Sequence, residues 1–145
     1  SVRCGIVDNA LYLDELCYQT GMLSSSITKI LKPWGLKVMA DSADPRLIQE
    51  IKNGGVNIYP VDKYPGSINA GIDKMKDMEL FVTERSYNLI NELRNYVWDK
   101  DKDDNYINTP VDKDNHLIDA ARYYVLGMLL GKILKPKDNS GVFAH

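Results

Sequence analysis

Cysteine is scarce in this chain. Cys4 and Cys17 are the only two, and they do not form a CxxC pair. They read as reduced, strand-borne small hydrophobes of a cytosolic protein rather than as a disulfide framework. Long apolar runs are also absent. The longest, around Tyr123 to Leu130, is broken by Gly127 and falls far short of the ~20 residues a membrane span needs. The first residues carry no apolar h-region, so no signal peptide is read. Charge of one sign is missing too. A net charge of −2 gives no global basic field of the kind that advertises a nucleic-acid partner. That count omits any bound metal, whose charge would change the local field. No nucleotide-binding loop is present. Gly127…Gly131-Lys132 is one residue short of that pattern and lies inside an apolar helix, where glycine serves close packing. Asp99, Asp101, Asp103 and Asn105 do not make a calcium loop. The sixth position is Asp104 instead of glycine, and the twelfth is Pro110 instead of glutamate.

What remains is ordinary globular material. The 145 residues, 44% hydrophobic and 26% charged, suit one domain with one core. There is no internal repeat, linker or low-complexity segment. Val2 to Val7 reads as a strand, Asp8-Asn9 as a tight turn, and Ala10 to Tyr18 as the returning strand. Ser24 to Leu31 is a short helix, and Leu36 to Ala40 a short apolar strand. Asp44-Pro45 starts the next helix with an N-cap aspartate and an N1 proline. Its apolar side is Leu47, Ile48 and Ile51, and Gly54-Gly55 ends it. Val56 to Tyr59 is a strand. Ser67 opens a helix with Ile68, Ile72 and Met75 on one face. Leu80 to Val82 is a strand, and Ser86 opens a helix through Leu89, Ile90 and Leu93. Tyr96 to Trp98 begins a hairpin with a charged, solvated tip around Asp101 to Asn105. The last helix runs from about Asn115 to Leu134, and Pro136 helps to stop it. The predicted class is therefore a mixed α/β sheet flanked by helices, with parallel strands joined by crossovers.

Two acidic positions stand out. Asp41 directly follows an apolar strand, at the carboxyl end where open α/β sheets bind ligands. A carboxylate there suits a hard cation such as Mg²⁺. The alternative role, capping the next helix, is better filled by Asp44, which Pro45 follows. Asp119 lies on the last helix, and His116 and Tyr123 share its face by i, i+3 and i+4 spacing. From spacing alone, a surface Asp119–Arg122 ion pair is the stronger reading. His116 is balanced between a local hydrogen bond and a metal or proton-transfer role. Lys63, Ser67 and Asn69 surround a helix start whose backbone N–H groups suit a phosphate, or simply a capped turn.

Four ordered segments carry a resemblance. They are Ala40-Asp41-Ser42-Ala43-Asp44-Pro45, Gly66-Ser67-Ile68-Asn69-Ala70-Gly71-Ile72, Val82-Thr83-Glu84-Arg85-Ser86, and Asn115-His116-Leu117-Ile118-Asp119-Ala120-Ala121-Arg122-Tyr123. Together they closely resemble the C-terminal nuclease domain of tailed-phage large terminase subunits, over nearly all of residues 2 to 135. The resemblance implies an RNase H-like fold and a two-metal endodeoxyribonuclease that cuts concatemeric viral DNA during packaging, with Mg²⁺ or Mn²⁺ as cofactor. It makes Asp41 the second catalytic carboxylate and Asp119 the third, and matches His116 to a histidine that assists at the metal. It implies double-stranded DNA, the terminase ATPase domain, the small terminase subunit and the portal as partners. The setting is the bacterial host cytoplasm, with no membrane partner. Lys63, Ser67 and Asn69 are the candidate DNA contacts.

One departure matters. The family's first catalytic aspartate lies on a strand before the hairpin, whereas this chain opens at Ser1-Val2-Arg3-Cys4, already in what reads as the second strand. Neither Asp8 nor Asp14 is expected to replace it. Residues 1–135 are thus expected to be a nuclease domain truncated after its first strand, with impaired activity, and residues 136–145 a polar tail. The missing aspartate also motivates a different expectation, a catalytically silent packaging module that docks the motor, the portal or DNA.

Overall fold

The computed structural model describes the backbone of residues 1–96, 98–100, 103, 106–110, 115–131 and 142–144. The chain begins with a hairpin, β1 (Val2–Val7) and β2 (Ala10–Glu15), paired antiparallel from Val2↔Glu15 to Val7↔Ala10. Its two-residue turn places Asp8 at φ 54°, a left-handed conformation that aspartate tolerates better than most residues. Alternation along the strands buries Val2, Cys4, Leu11 and Leu13 on one face.

Helix α1 (Ser24–Leu31) leads through a 3₁₀ turn at Lys32–Trp34 into β3 (Val38–Ala40), whose three residues are all buried. Helix α2 (Pro45–Asn53) then starts as its sequence dictates. Asp44 accepts a hydrogen bond from the Leu47 N–H at 2.9 Å, and Pro45 occupies the first turn. Strand β4 (Ile58–Pro60) pairs parallel to β3. Helix α3 (Ser67–Lys76) is followed by β5 (Glu79–Val82), which pairs parallel to β2. Helix α4 (Tyr87–Asn95) precedes a separate two-stranded ribbon of β6 (Trp98–Lys100) and β7 (Tyr106–Pro110), the expected hairpin. Most of its expected tip lies outside the described residues.

Helix α5 (His116–Leu129) is buried nearly all round, from Leu117 to Gly127. It ends sooner than the expected Leu134. Gly131 takes φ 68°, and the N–H groups of Leu130 and Gly131 turn back onto the carbonyls of Leu126 and Met128. Strand β8 (Val142–Ala144) joins the main sheet, so the expected polar tail contributes a strand. The sheet order is β4-β3-β8-β1-β2-β5. Strand β8 runs antiparallel to β1 and parallel to β3, which supplies backbone partners between two strands that do not pair directly.

Helices pack on both faces. Val2, Cys4, Leu13 and Met39 meet Met75, Leu89, Tyr124 and Val125 from α3, α4 and α5. On the opposite face Ile27, Leu31, Ile48 and Ile51 from α1 and α2 cover Val38, Ala40 and Ile58. Each such fully buried aliphatic side chain contributes about 1.5–3 kcal/mol. This packing fixes β3 against α5, and so sets the strand that leads into Asp41 beside the helix that carries Asp119. Among the described residues, no helix is long and apolar enough to cross a membrane.

Candidate metal centre

Asp41 leaves the carboxyl end of β3 and is gripped from three sides. Its Oδ1 accepts from the Ala43 N–H at 2.9 Å and lies 2.6 Å from Lys63 Nζ. Its Oδ2 accepts from the Tyr123 hydroxyl at 2.7 Å, which ties β3 directly to α5. Partial burial by itself would push the Asp41 carboxyl up, but the bonds from Lys63 and Tyr123 outweigh it and hold the group below the usual carboxylate range. Burial, reinforced by the same contact, pushes the Tyr123 phenol up, so it stays a proton donor.

Asp119 sits on α5 with its Oδ1 accepting from Arg122 Nε at 3.2 Å and Nη2 at 2.9 Å. The ion pair read from spacing is therefore real, but it is not a surface pair. Arg122 is 3% exposed. Its stem crosses the backbone of Gly71 on α3 so closely that a Cβ there would stand 2.5 Å from Arg122 Cγ. Asp119 itself is partly exposed and opens onto a cleft of about 670 Å³.

That cleft gathers most of the sequence candidates. Asp41, Lys63, Ser67, Asn69 and Asp119 all line it, with Tyr123 and Arg122. The first turn of α3 forms one wall. Gly66 enters it at φ 83°, and no side chain caps it. His116 is not brought in: it is exposed at the first position of α5 and lies outside the cleft lining.

The donor set fits a hard divalent cation. Mg²⁺ is commonly held by one or two carboxylates, with water and substrate phosphate completing its shell. Asp41 and Asp119, both in the cleft lining, could supply that pair, and Lys63 already sets positive charge against Asp41. Among the described residues, no three His, Cys, Asp or Glu side chains come together.

Asp14 is committed elsewhere. It is buried, lines a different cleft, and binds Thr83, Arg85 and Arg3. Burial would push its carboxyl up, but the bonds from Arg85 and Thr83 prevail and hold it low. Sequence reasoning missed Glu92. Its Oε2 accepts from the Leu117 and Ile118 N–H groups at 2.8 and 3.0 Å, capping α5 just before Asp119. Its Oε1 is buried without a partner among the described residues, and burial pushes the carboxyl up. The signal was available: Glu92 lies on the Leu89, Leu93, Tyr96 stripe of α4, where an acid is out of place.

Comparisons with known proteins converge on one family. Residues 1–126 match the model described as the terminase RNase H-like domain. The chain is 35% identical over 91 residues to the large terminase subunit of Bacillus phage SPP1, covering 60% of this chain and 22% of that protein. It is 32% identical over 87 residues to the PBSX phage terminase large subunit of Bacillus subtilis strain 168, covering 59% of this chain and 20% of that one. It thus aligns with about a fifth of the length of these relatives. The crystal structure of the large terminase nuclease domain from bacteriophage SPP1 with bound Mn superposes with a TM-score of 0.78 at 27% identity, covering 84% of this chain and 74% of that one. A mixed sheet flanked by helices agrees with these matches, and the chain belongs to the terminase RNase H-like domain family.

Proposed function

We propose that this chain is the DNA-cutting domain of a large terminase subunit, acting on concatemeric viral DNA during genome packaging in the bacterial host cytoplasm. The observation that carries the reading is the convergence of Asp41, Asp119 and the uncapped start of α3 on one cleft. Asp41 and Asp119 would hold Mg²⁺ or Mn²⁺, with two ions in a complete site. The bound cation supplies water activation and stabilises the leaving 3′ oxygen. Lys63, Ser67 and Asn69 bind the backbone of double-stranded DNA, because amide N–H groups at a helix start and an ammonium both favour phosphate. Tyr123 and the Ala43 N–H orient the Asp41 carboxylate. His116, one turn before Asp119 but outside the described cleft lining, takes no part in holding the cation in this reading. The ATPase motor, the small terminase subunit and the portal are the assembly partners of this reading.

Supercoiled plasmid with Mn²⁺ tests it. The chain should nick the DNA, and Asp41→Ala and Asp119→Ala should each abolish nicking. Undiminished nicking by either variant refutes the assignment. A second reading, a catalytically silent packaging module, is favoured by the presence of only two carboxylates among the described residues of the cleft lining. Intact plasmid after incubation of the folded chain with Mn²⁺, combined with retained duplex binding, selects it.

A further inference from the structure

Among the described residues the cleft lining is charge-balanced: Asp41 and Asp119 stand with Lys63 and Arg122. The two cations are not equivalent. Arg122 is locked, with its side chain 4% exposed, its stem against Gly71 and its guanidinium 4.9 Å from the Tyr123 ring centroid. Lys63 lies on the loop between β4 and α3, and its side chain is 44% exposed. Its ammonium touches Asp41 Oδ1 at 2.6 Å and stands 5.6 Å from the Tyr123 ring centroid. A divalent cation on the same carboxylate would lie within a few ångströms of that ammonium, and like charges repel strongly at such range in a half-buried cleft.

We propose that Lys63 holds the place of the metal: its ammonium neutralises Asp41 in the metal-free domain, a divalent cation displaces it, and the freed side chain turns to a DNA phosphate at the start of α3. This rests on the metal-centre reading above and adds competition to it. Lysine suits the role. Its flexible stem and point-charge head can leave one anion and take another, whereas a buried, forked guanidinium such as Arg122 cannot. The cleft offers the second anion position, because Lys63 lines it together with Ser67 and Asn69 of the first turn of α3. Metal loading and phosphate capture thereby become coupled through one side chain.

The test is Mn²⁺ binding alone, followed by electron paramagnetic resonance, for the chain and for Lys63→Met, Lys63→Arg, Asp41→Asn and the Lys63→Met/Asp41→Asn pair, with folding checked by circular dichroism. Lys63→Met should tighten Mn²⁺ on the order of tenfold, the scale of one relieved unit-charge repulsion. Lys63→Arg should stay near the parent, and the gain should vanish in the pair. Duplex binding with Ca²⁺ present should weaken in Lys63→Met and recover in Lys63→Arg. Unchanged or weaker Mn²⁺ binding by folded Lys63→Met, while Asp41→Asn weakens it, overturns the displacement and leaves the metal centre standing. Mn²⁺ binding that ignores Asp41→Asn overturns both.

Discussion

Replacing Gly71 with alanine sets two opposed effects against each other. Gly71 lies inside α3, where alanine alone gains about 1 kcal/mol of helix propensity. The new Cβ would stand 2.5 Å from Arg122 Cγ, 3.1 Å from Cδ and 3.4 Å from Leu126 Cγ. The nearest atom belongs to the stem of Arg122, which is 3% exposed and cannot swing into solvent. Overpacking of this kind costs about 1–3 kcal/mol. Dislodging the buried guanidinium from Asp119 adds about 1–3 kcal/mol more. The steric term therefore wins, and the net loss should be about 2 kcal/mol. In a chain of this length, that lowers the melting midpoint by about 4–8 °C. Urea denaturation followed by circular dichroism reads it directly, and a double-mutant cycle isolates its cause. Once Arg122→Ala has removed the stem, the alanine at position 71 should stabilise. A midpoint for Gly71→Ala at or above that of the parent refutes the close approach of α3 and Arg122.

Acid should destabilise the fold through Asp14 and Asp41. Both carboxyls are held below their ordinary range, so their stabilising contribution is complete above the unfolded pKa and drains away as pH falls through the folded values. Urea midpoints should drop steeply below pH ~4, and Asp14→Asn should flatten the drop. Glu92 has the opposite sign. Its pKa is raised, so its ionisation removes stability as pH rises from the unfolded value through the folded one, and Glu92→Gln should abolish that slope. Glu92→Ala should cost about 2–3 kcal/mol at neutral pH, because it leaves the Leu117 and Ile118 N–H groups without their acceptor. Tyr123→Phe should cost about 1 kcal/mol and raise the Asp41 pKa in a carboxyl-carbon NMR titration.

Much of this architecture is written locally in the chain. Asp44-Pro45 announces α2, Asp8-Asn9 the first turn, and period-two alternation the buried face of β1 and β2. The order of hairpin, then alternating strands and helices, also survives in the structure. The end of α5 did not follow from Pro136, because Gly131 satisfies the last carbonyls earlier. Strand β8 was hidden in a short terminal segment, since only its distant partners β1 and β3 make it a strand. At the site, Asp41 was legible from its place after an apolar strand. Asp119 was not, because i, i+3 spacing to Arg122 describes a surface pair equally well. What distinguishes the two is burial of Arg122 beneath Gly71, a long-range contact that local spacing does not encode. The same limit hid the bonds from Tyr123 and Lys63 to Asp41, which join segments far apart in sequence. Glu92 differs: its place on an apolar stripe marks it as unusual, but what it binds becomes visible only when the start of α5 docks on it.

The central claim is that Asp41 and Asp119 share one divalent cation site. Crystals of the chain soaked in Mn²⁺, with diffraction collected at the manganese absorption edge, test it most directly. The account predicts an anomalous peak at coordination distance, about 2.0–2.2 Å, from oxygens of both carboxylates, with the Lys63 ammonium moved off Asp41. A peak bound by neither aspartate, or none in the cleft at saturating Mn²⁺, would contradict it.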